Sequence, residues 1–108
     1  MNYNVLSIPP FDKQLKRLSK KYPSLKNEFR QLLNNLEQNP EQGASLGNNC
    51  YKIRMAIGSK GKGKSGGARV ITCVQIIAAS VYLLSIYDKS EQADINNKEL
   101  SSLLRLIP

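Results

Sequence analysis

The chain contains no histidine and no tryptophan, only two cysteines, and half as many acidic as basic side chains. The missing histidine removes the commonest metal ligand and the commonest general base, and it disfavours Ser–His and Cys–His nucleophile chemistry. Cys50 and Cys73 have no CxxC spacing that would point to zinc. Each sits in an apolar, strand-like run, and the pair reads as two buried free thiols. Neither a metal nor a small-molecule cofactor is expected. The first apolar run, Val5–Ile8, is too short for a secretory signal, so the expected compartment is the cytoplasm. A membrane partner is not expected either. Val70–Tyr87 runs eighteen residues without a charge, but it carries Thr72, Gln75, Ser80 and Ser85. Two buried strands joined by a tight turn near Ala78–Ala79 explain it better than a span.

What is present is basic. Sixteen Lys and Arg face eight Asp and Glu, a formal net charge of +8 on 108 residues. Such a field favours a polyanionic partner, nucleic acid above all. The charge is also uneven: between Gln42 and Tyr87 there is no acidic residue, while Lys52, Arg54, Lys60, Lys62, Lys64 and Arg69 all lie there. With 41% hydrophobic residues, the chain reads as one folded domain spanning 1–108.

Asn4–Ile8 reads as a first strand stopped by Pro9–Pro10. Phe11, Leu15, Leu18 and Tyr22 then recur at helical spacing, with Lys13, Lys16, Arg17, Lys20 and Lys21 on the other face. Pro23 breaks this helix and opens a second, striped by Leu25, Phe29, Leu32, Leu33 and Leu36 and ended by Pro40 and Gly43. Cys50–Ile57 alternates, with Lys52 and Arg54 on one face and Tyr51, Ile53 and Met55 on the other. Gly58–Gly67 is a Gly/Lys/Ser loop. Ala68–Ile77 and Ser80–Asp88 complete a three-stranded meander. Asn96 and Glu99 have capping-box spacing before a last helix carrying Leu100, Leu103, Leu104 and Ile107. The order βααβββα predicts an α+β fold, with a helix pair packed on a mostly antiparallel sheet and a C-terminal helix.

Gly58–Ser65 matches the phosphate-binding pattern GxxxxGK[ST] letter for letter. That loop works only when a helix follows and aims its N–H groups at the phosphates. Here Gly66–Gly67 and a β-branched strand follow, so the match is an accident of composition. Lys60, Lys62 and Lys64 on a Gly-rich hairpin tip suit a phosphate backbone better, with Arg54 and Arg69 as fixed cations on the strands beside them. Lys16 and Lys20 on the first helix are read as further RNA contacts, against the plainer reading of a solvated helix face.

Three segments carry a resemblance. Phe11-Asp-Lys through Leu18-Ser-Lys-Lys-Tyr-Pro-Ser-Leu25 resembles the first helix pair of RelE/HigB-type toxins. Lys64-Ser-Gly-Gly-Ala-Arg-Val-Ile71 is similar to the KSGGxRVI signature of the HigB-like branch. Val81-Tyr-Leu-Leu-Ser-Ile-Tyr-Asp-Lys-Ser-Glu-Gln92 resembles that branch's last strand and its exit. The resemblance implies a toxin of a type II toxin–antitoxin pair, in the RelE/ParE superfamily, held by a cognate antitoxin. It implies a ribosome-dependent endoribonuclease, an mRNA interferase, with ribosome and mRNA as partners. The related ParE branch inhibits DNA gyrase instead, and a non-catalytic basic module that binds RNA or DNA is the reading from another class. The sequence departs from the pattern after Ile71, where relatives carry aromatic residues and Thr72 and Cys73 stand here. The apolar turn Ile76–Ala79 is a second departure.

The residues fit a cut made by the RNA's own 2′-OH. Arg69 and Arg54 would clamp the scissile phosphate, since arginine stays charged and grips two oxygens at once. Lys64 or Lys89 would serve as acid or base, and Glu91 as a base. Tyr87 would stack on a base or donate a hydrogen bond, and Lys52 would add positive field.

Overall fold

Pro9 and Pro10 do more than stop the first strand. In the computed structural model, which describes residues 2–61, 63 and 66–108, they are the first two residues of helix α1, Pro9–Lys21. Proline suits this place, because its missing N–H would have had no helical partner there and its φ is already helical. Strand β1, Asn4–Ser7, therefore ends one residue earlier than the apolar run suggests. Helix α2, Leu25–Gln38, follows after Pro23. Phe11 and Phe29 join the two helices, with ring centroids 5.6 Å apart.

The sheet has one strand more than the sequence pattern predicts. Ala44–Gly47 forms an edge strand, β2, paired antiparallel with β3, Cys50–Met55. The turn between them holds Asn48 and Asn49 at φ 53° and 61°, the left-handed pair that a two-residue hairpin turn requires and asparagine tolerates. Strands β4, Ala68–Gln75, and β5, Ser80–Asp88, complete a five-stranded sheet in the order β1-β5-β4-β3-β2. Only β1 runs parallel to its neighbour. A 3₁₀ turn, Gly58–Lys60, follows β3. Among the described residues after the GxxxxGK[ST] stretch, Gly66 is in a 3₁₀ conformation and β4 begins two residues later, with no α-helix between. The α+β class is as expected.

Register divides the sheet into two faces, because directly opposite residues point the same way. Ile53, Val70 and Ile86 form one row, and Met55, Ala68 and Asp88 the next row on that face. This face meets the helix pair: the Tyr22 hydroxyl at the end of α1 donates to Asp88 at 2.6 Å. Beyond β1 the edge of β5 is open, and Gln14 of α1 closes it by accepting from the Ile86 N–H at 3.0 Å and the Ser85 hydroxyl at 3.2 Å. On the other face lie Lys52, Arg54, Arg69 and Tyr87. The segment after β5 returns across it, since Lys52 pairs with Asp94 at 3.1 Å. Helix α3, Asn97–Leu104, follows, with Asn96 capping the Glu99 N–H at 2.8 Å. Glu99 does not reach back to complete the box; its carboxylate accepts from Gln92.

Candidate functional site

Arg54, Arg69 and Tyr87 stand in one cross-strand row over β3, β4 and β5. Adjacent strands are about 4.8 Å apart, so the row is about 10 Å wide. Two arginines directly opposite each other repel and weaken the pairing of β3 with β4. A sheet built for stability alone has no use for such a pair; one built to hold a doubly charged or bridging anion does. Arg54 is exposed, whereas Arg69 is 4% exposed and donates to the Ala68 carbonyl at 3.2 Å. Tyr87 is also buried, and among the described residues its hydroxyl has no hydrogen-bond partner. Burial, then the charge of Asp94, push that phenol up to about 12. It is a protonated donor, aimed at nothing among the described residues.

The remaining sequence candidates divide. Lys52 sits two residues from Arg54 on the same face and is ion-paired with Asp94, whose side chain is 62% exposed. Lys89 lies at the exit of β5, with its amine on the Ala93 carbonyl at 3.0 Å and its backbone N–H on the Gly67 carbonyl. Lys62 and Lys64 lie outside the described residues. Lys16 and Lys20 are exposed on α1 and line a groove with Leu15, Phe29, Leu33 and Arg30 of the helix pair. That groove belongs to the helix side of the sheet, so these two lysines do not join the arginine row.

Two expectations need correction. Lys60 is not a mobile loop cation. Its amine is held by Asp88 at 2.5 Å, by the Gly66 carbonyl at 2.9 Å and by Ser90 at 3.1 Å, with only 12% of its side chain exposed. An amine so fully bonded has no donor left for a phosphate. Glu91 is not placed as a base. Arg17 grips it at 2.8 Å and Lys21 stands at 3.5 Å. The Arg17 bond, the largest effect, lowers its carboxyl below the ordinary value. That makes it a weaker base and turns it toward α1.

Sequence reasoning missed the cluster that fixes the site's flank. Asp88 is fully buried and accepts from Tyr22, Lys60 and the Ser90 hydroxyl and N–H. Burial alone would raise its carboxyl, but the hydrogen bonds from Lys60, Tyr22 and Ser90 outweigh it and hold the group well below the carboxylate range. The one signal available was position: Asp88 is the first acid after forty-six residues without one, placed at the end of an apolar strand.

The family model of the RelE toxin of the RelE / RelB toxin–antitoxin system matches residues 11–107. The chain belongs to the RelE toxin family. Solved RelE structures share its fold. The free-state structure of a double arginine-to-alanine variant of E. coli RelE covers 100% of both chains at 19% identity and a TM-score of 0.65. The isolated E. coli RelE toxin covers 97% of this chain and 99% of its own, at 16% identity and a TM-score of 0.62. The variant in complex with a peptide of the antitoxin RelB gives 17% identity and a TM-score of 0.59 over 100% of both chains. Membership makes the chain a toxin of a toxin–antitoxin system. The family match does not single out the HigB-like branch. Among the described residues of this RelE-family toxin no helix is long and apolar enough to cross a membrane.

Proposed function

We propose that this RelE-family toxin is a ribosome-dependent endoribonuclease that cuts messenger RNA on the Arg54–Arg69–Tyr87 row and is neutralised by a cognate antitoxin. The row itself carries the reading: two opposed arginines and a buried phenol that has no partner among the described residues. In the cut, the 2′-OH gives its proton to a lysine amine acting as base, and the 2′-oxygen forms a bond to phosphorus. The bond to the 5′-oxygen breaks, and the 5′-oxygen takes a proton from a lysine acting as acid. Arg69 and Arg54 grip the non-bridging oxygens as charge builds on them. Tyr87 donates a further hydrogen bond. Of Lys64 and Lys89, one takes the 2′-OH proton and the other gives a proton to the leaving oxygen, and Lys52 and Lys62 hold flanking phosphates.

Access follows from the ion pair between Lys52 and Asp94. An exposed pair of this kind contributes at most about 1 kcal/mol. A polyanion carrying several phosphates displaces Asp94 from Lys52 and opens the segment over Arg69. With no histidine, proton transfer is slow, so the alignment of the 2′-oxygen must come from the ribosome that holds the message. Arrest after induction in cells tests the target. Incorporation of labelled amino acids should stop first, with DNA synthesis continuing. Induction of the DNA-damage response ahead of translation arrest would point to gyrase and contradict the proposal.

A further inference from the structure

Cys50 opens β3, and Cys73 stands directly opposite it in β4. Both are buried and free. The Val74 N–H donates to the Asn49 carbonyl at 2.8 Å, one pair further along the ladder. Bonded and unbonded pairs alternate in an antiparallel ladder, so Cys50 and Cys73 form an unbonded pair. The Cα atoms of such a pair stand about 4.5 Å apart. A disulfide spans about 4.4–6.8 Å between Cα atoms, so the backbone is already set for one.

The sulfurs are placed for it too. As directly opposite residues of adjacent strands, the two side chains point to the same face of the sheet. Cys50 donates to the Asn48 carbonyl at 3.6 Å, and the Gln75 amide donates to the Cys73 sulfur at 3.8 Å. The Cys50 thiol, opposed by burial and helped by Gln75, lowers Cys73 to about 7, while Cys50 is pushed up. The Cys50 S–H is engaged by the Asn48 carbonyl, whereas the Cys73 sulfur accepts an N–H from Gln75, so Cys73 is the nucleophile of the pair. A zinc site is the poorer fit, because among the described residues no group of three or more cysteine or acidic side chains is placed to hold a metal ion.

We propose that Cys50 and Cys73 are a dithiol site that reacts with small disulfides of the glutathione type and closes a cross-strand bond between β3 and β4. The Cys73 thiolate attacks one sulfur of the small disulfide, forms a mixed disulfide and expels one small thiolate. Cys50 then gives its proton to solvent and attacks the Cys73 sulfur, and the second small thiolate leaves. Two protein thiols are oxidised, one small disulfide is reduced to two thiols, and nothing stays attached. The oxidant enters by the β2–β3 hairpin. Its turn, Asn48–Asn49, is exposed, and β2 is an edge strand exposed at all but Leu46. Such an edge opens locally without unfolding of the core. The closed bond encircles Arg54 and Arg69 and fixes the register in which they face each other. The site rests on the register and surroundings of the two cysteines and holds whatever the arginine row does.

The test is incubation of the folded wild type with oxidised glutathione at mildly alkaline pH, followed by intact mass, peptide mapping and thermal melting. The expected product has lost the mass of two hydrogens, maps to a Cys50–Cys73 link, melts several degrees higher and reverts with dithiothreitol. Cys50→Ser should stop at one glutathione on Cys73. Thiols that stay unreacted in the folded wild type but react in denaturant would overturn the proposal. So would a stable glutathione adduct on the wild type, or a bond between two chains.

Discussion

Gly67 lacks a side chain because β3 leaves no room for one. A Cβ there would lie 2.2 Å from the Met55 carbonyl oxygen, a backbone atom that cannot swing aside. Gly67→Ala should therefore cost about 1–3 kcal/mol, seen as a lower urea midpoint with an unchanged slope. Thr72 presents the opposite case. It is fully buried, and among the described residues its hydroxyl has no partner. Thr72→Val keeps the shape and removes the orphan, so stability should rise by about 1 kcal/mol on the same measurement. The unusual Thr72 in the RelE-like strand thus faces the core rather than a substrate. Arg54 and Arg69 were readable as strand cations from alternation alone. Their direct opposition was not, because it depends on the register set across the 58–67 loop. The fate of Lys60 was likewise hidden, since its partner Asp88 lies twenty-eight positions away.

At the scale of elements, Asp88 ties three pieces together: the end of β5, the end of α1 through Tyr22, and the turn after β3 through Lys60. Its carboxyl is held well below the ordinary range, against about 3.9 in the unfolded chain. The stability it lends is thus fully present above the unfolded value and is lost as pH falls toward the folded one. The wild type should lose stability steeply below about pH 4. Asp88→Asn should cost about 3–5 kcal/mol at neutral pH, because Lys60 is left buried without its counter-charge. Its denaturation midpoint should then change less on acidification. Equal acid slopes in the two proteins would show that the cluster is not the source. Most elements were legible because their signals are local: helical spacing, prolines, and the Asn96 cap. β2 was missed because a four-residue exposed edge strand has no apolar alternation. The Asn48–Asn49 turn was its only sequence mark.

Over the whole molecule, the sheet separates two kinds of positive charge. Lys16, Lys20 and Arg30 gather on the helix side around an apolar groove, whereas Arg54, Arg69 and Lys52 share the opposite face with Tyr87. Net charge announced a polyanion in the sequence, but it could not say which face would receive it. The register shows where cations oppose one another, and that is the face proposed to cut RNA. The measurement that bears most directly on this is primer extension on a defined message in a translating extract, with wild type and Arg69→Ala side by side. The account predicts new stops within the reading frame for the wild type. These should vanish with Arg69→Ala and without ribosomes, while ribosome binding by the variant is little changed. Intact message with the wild type, or equal cutting by Arg69→Ala, would contradict it.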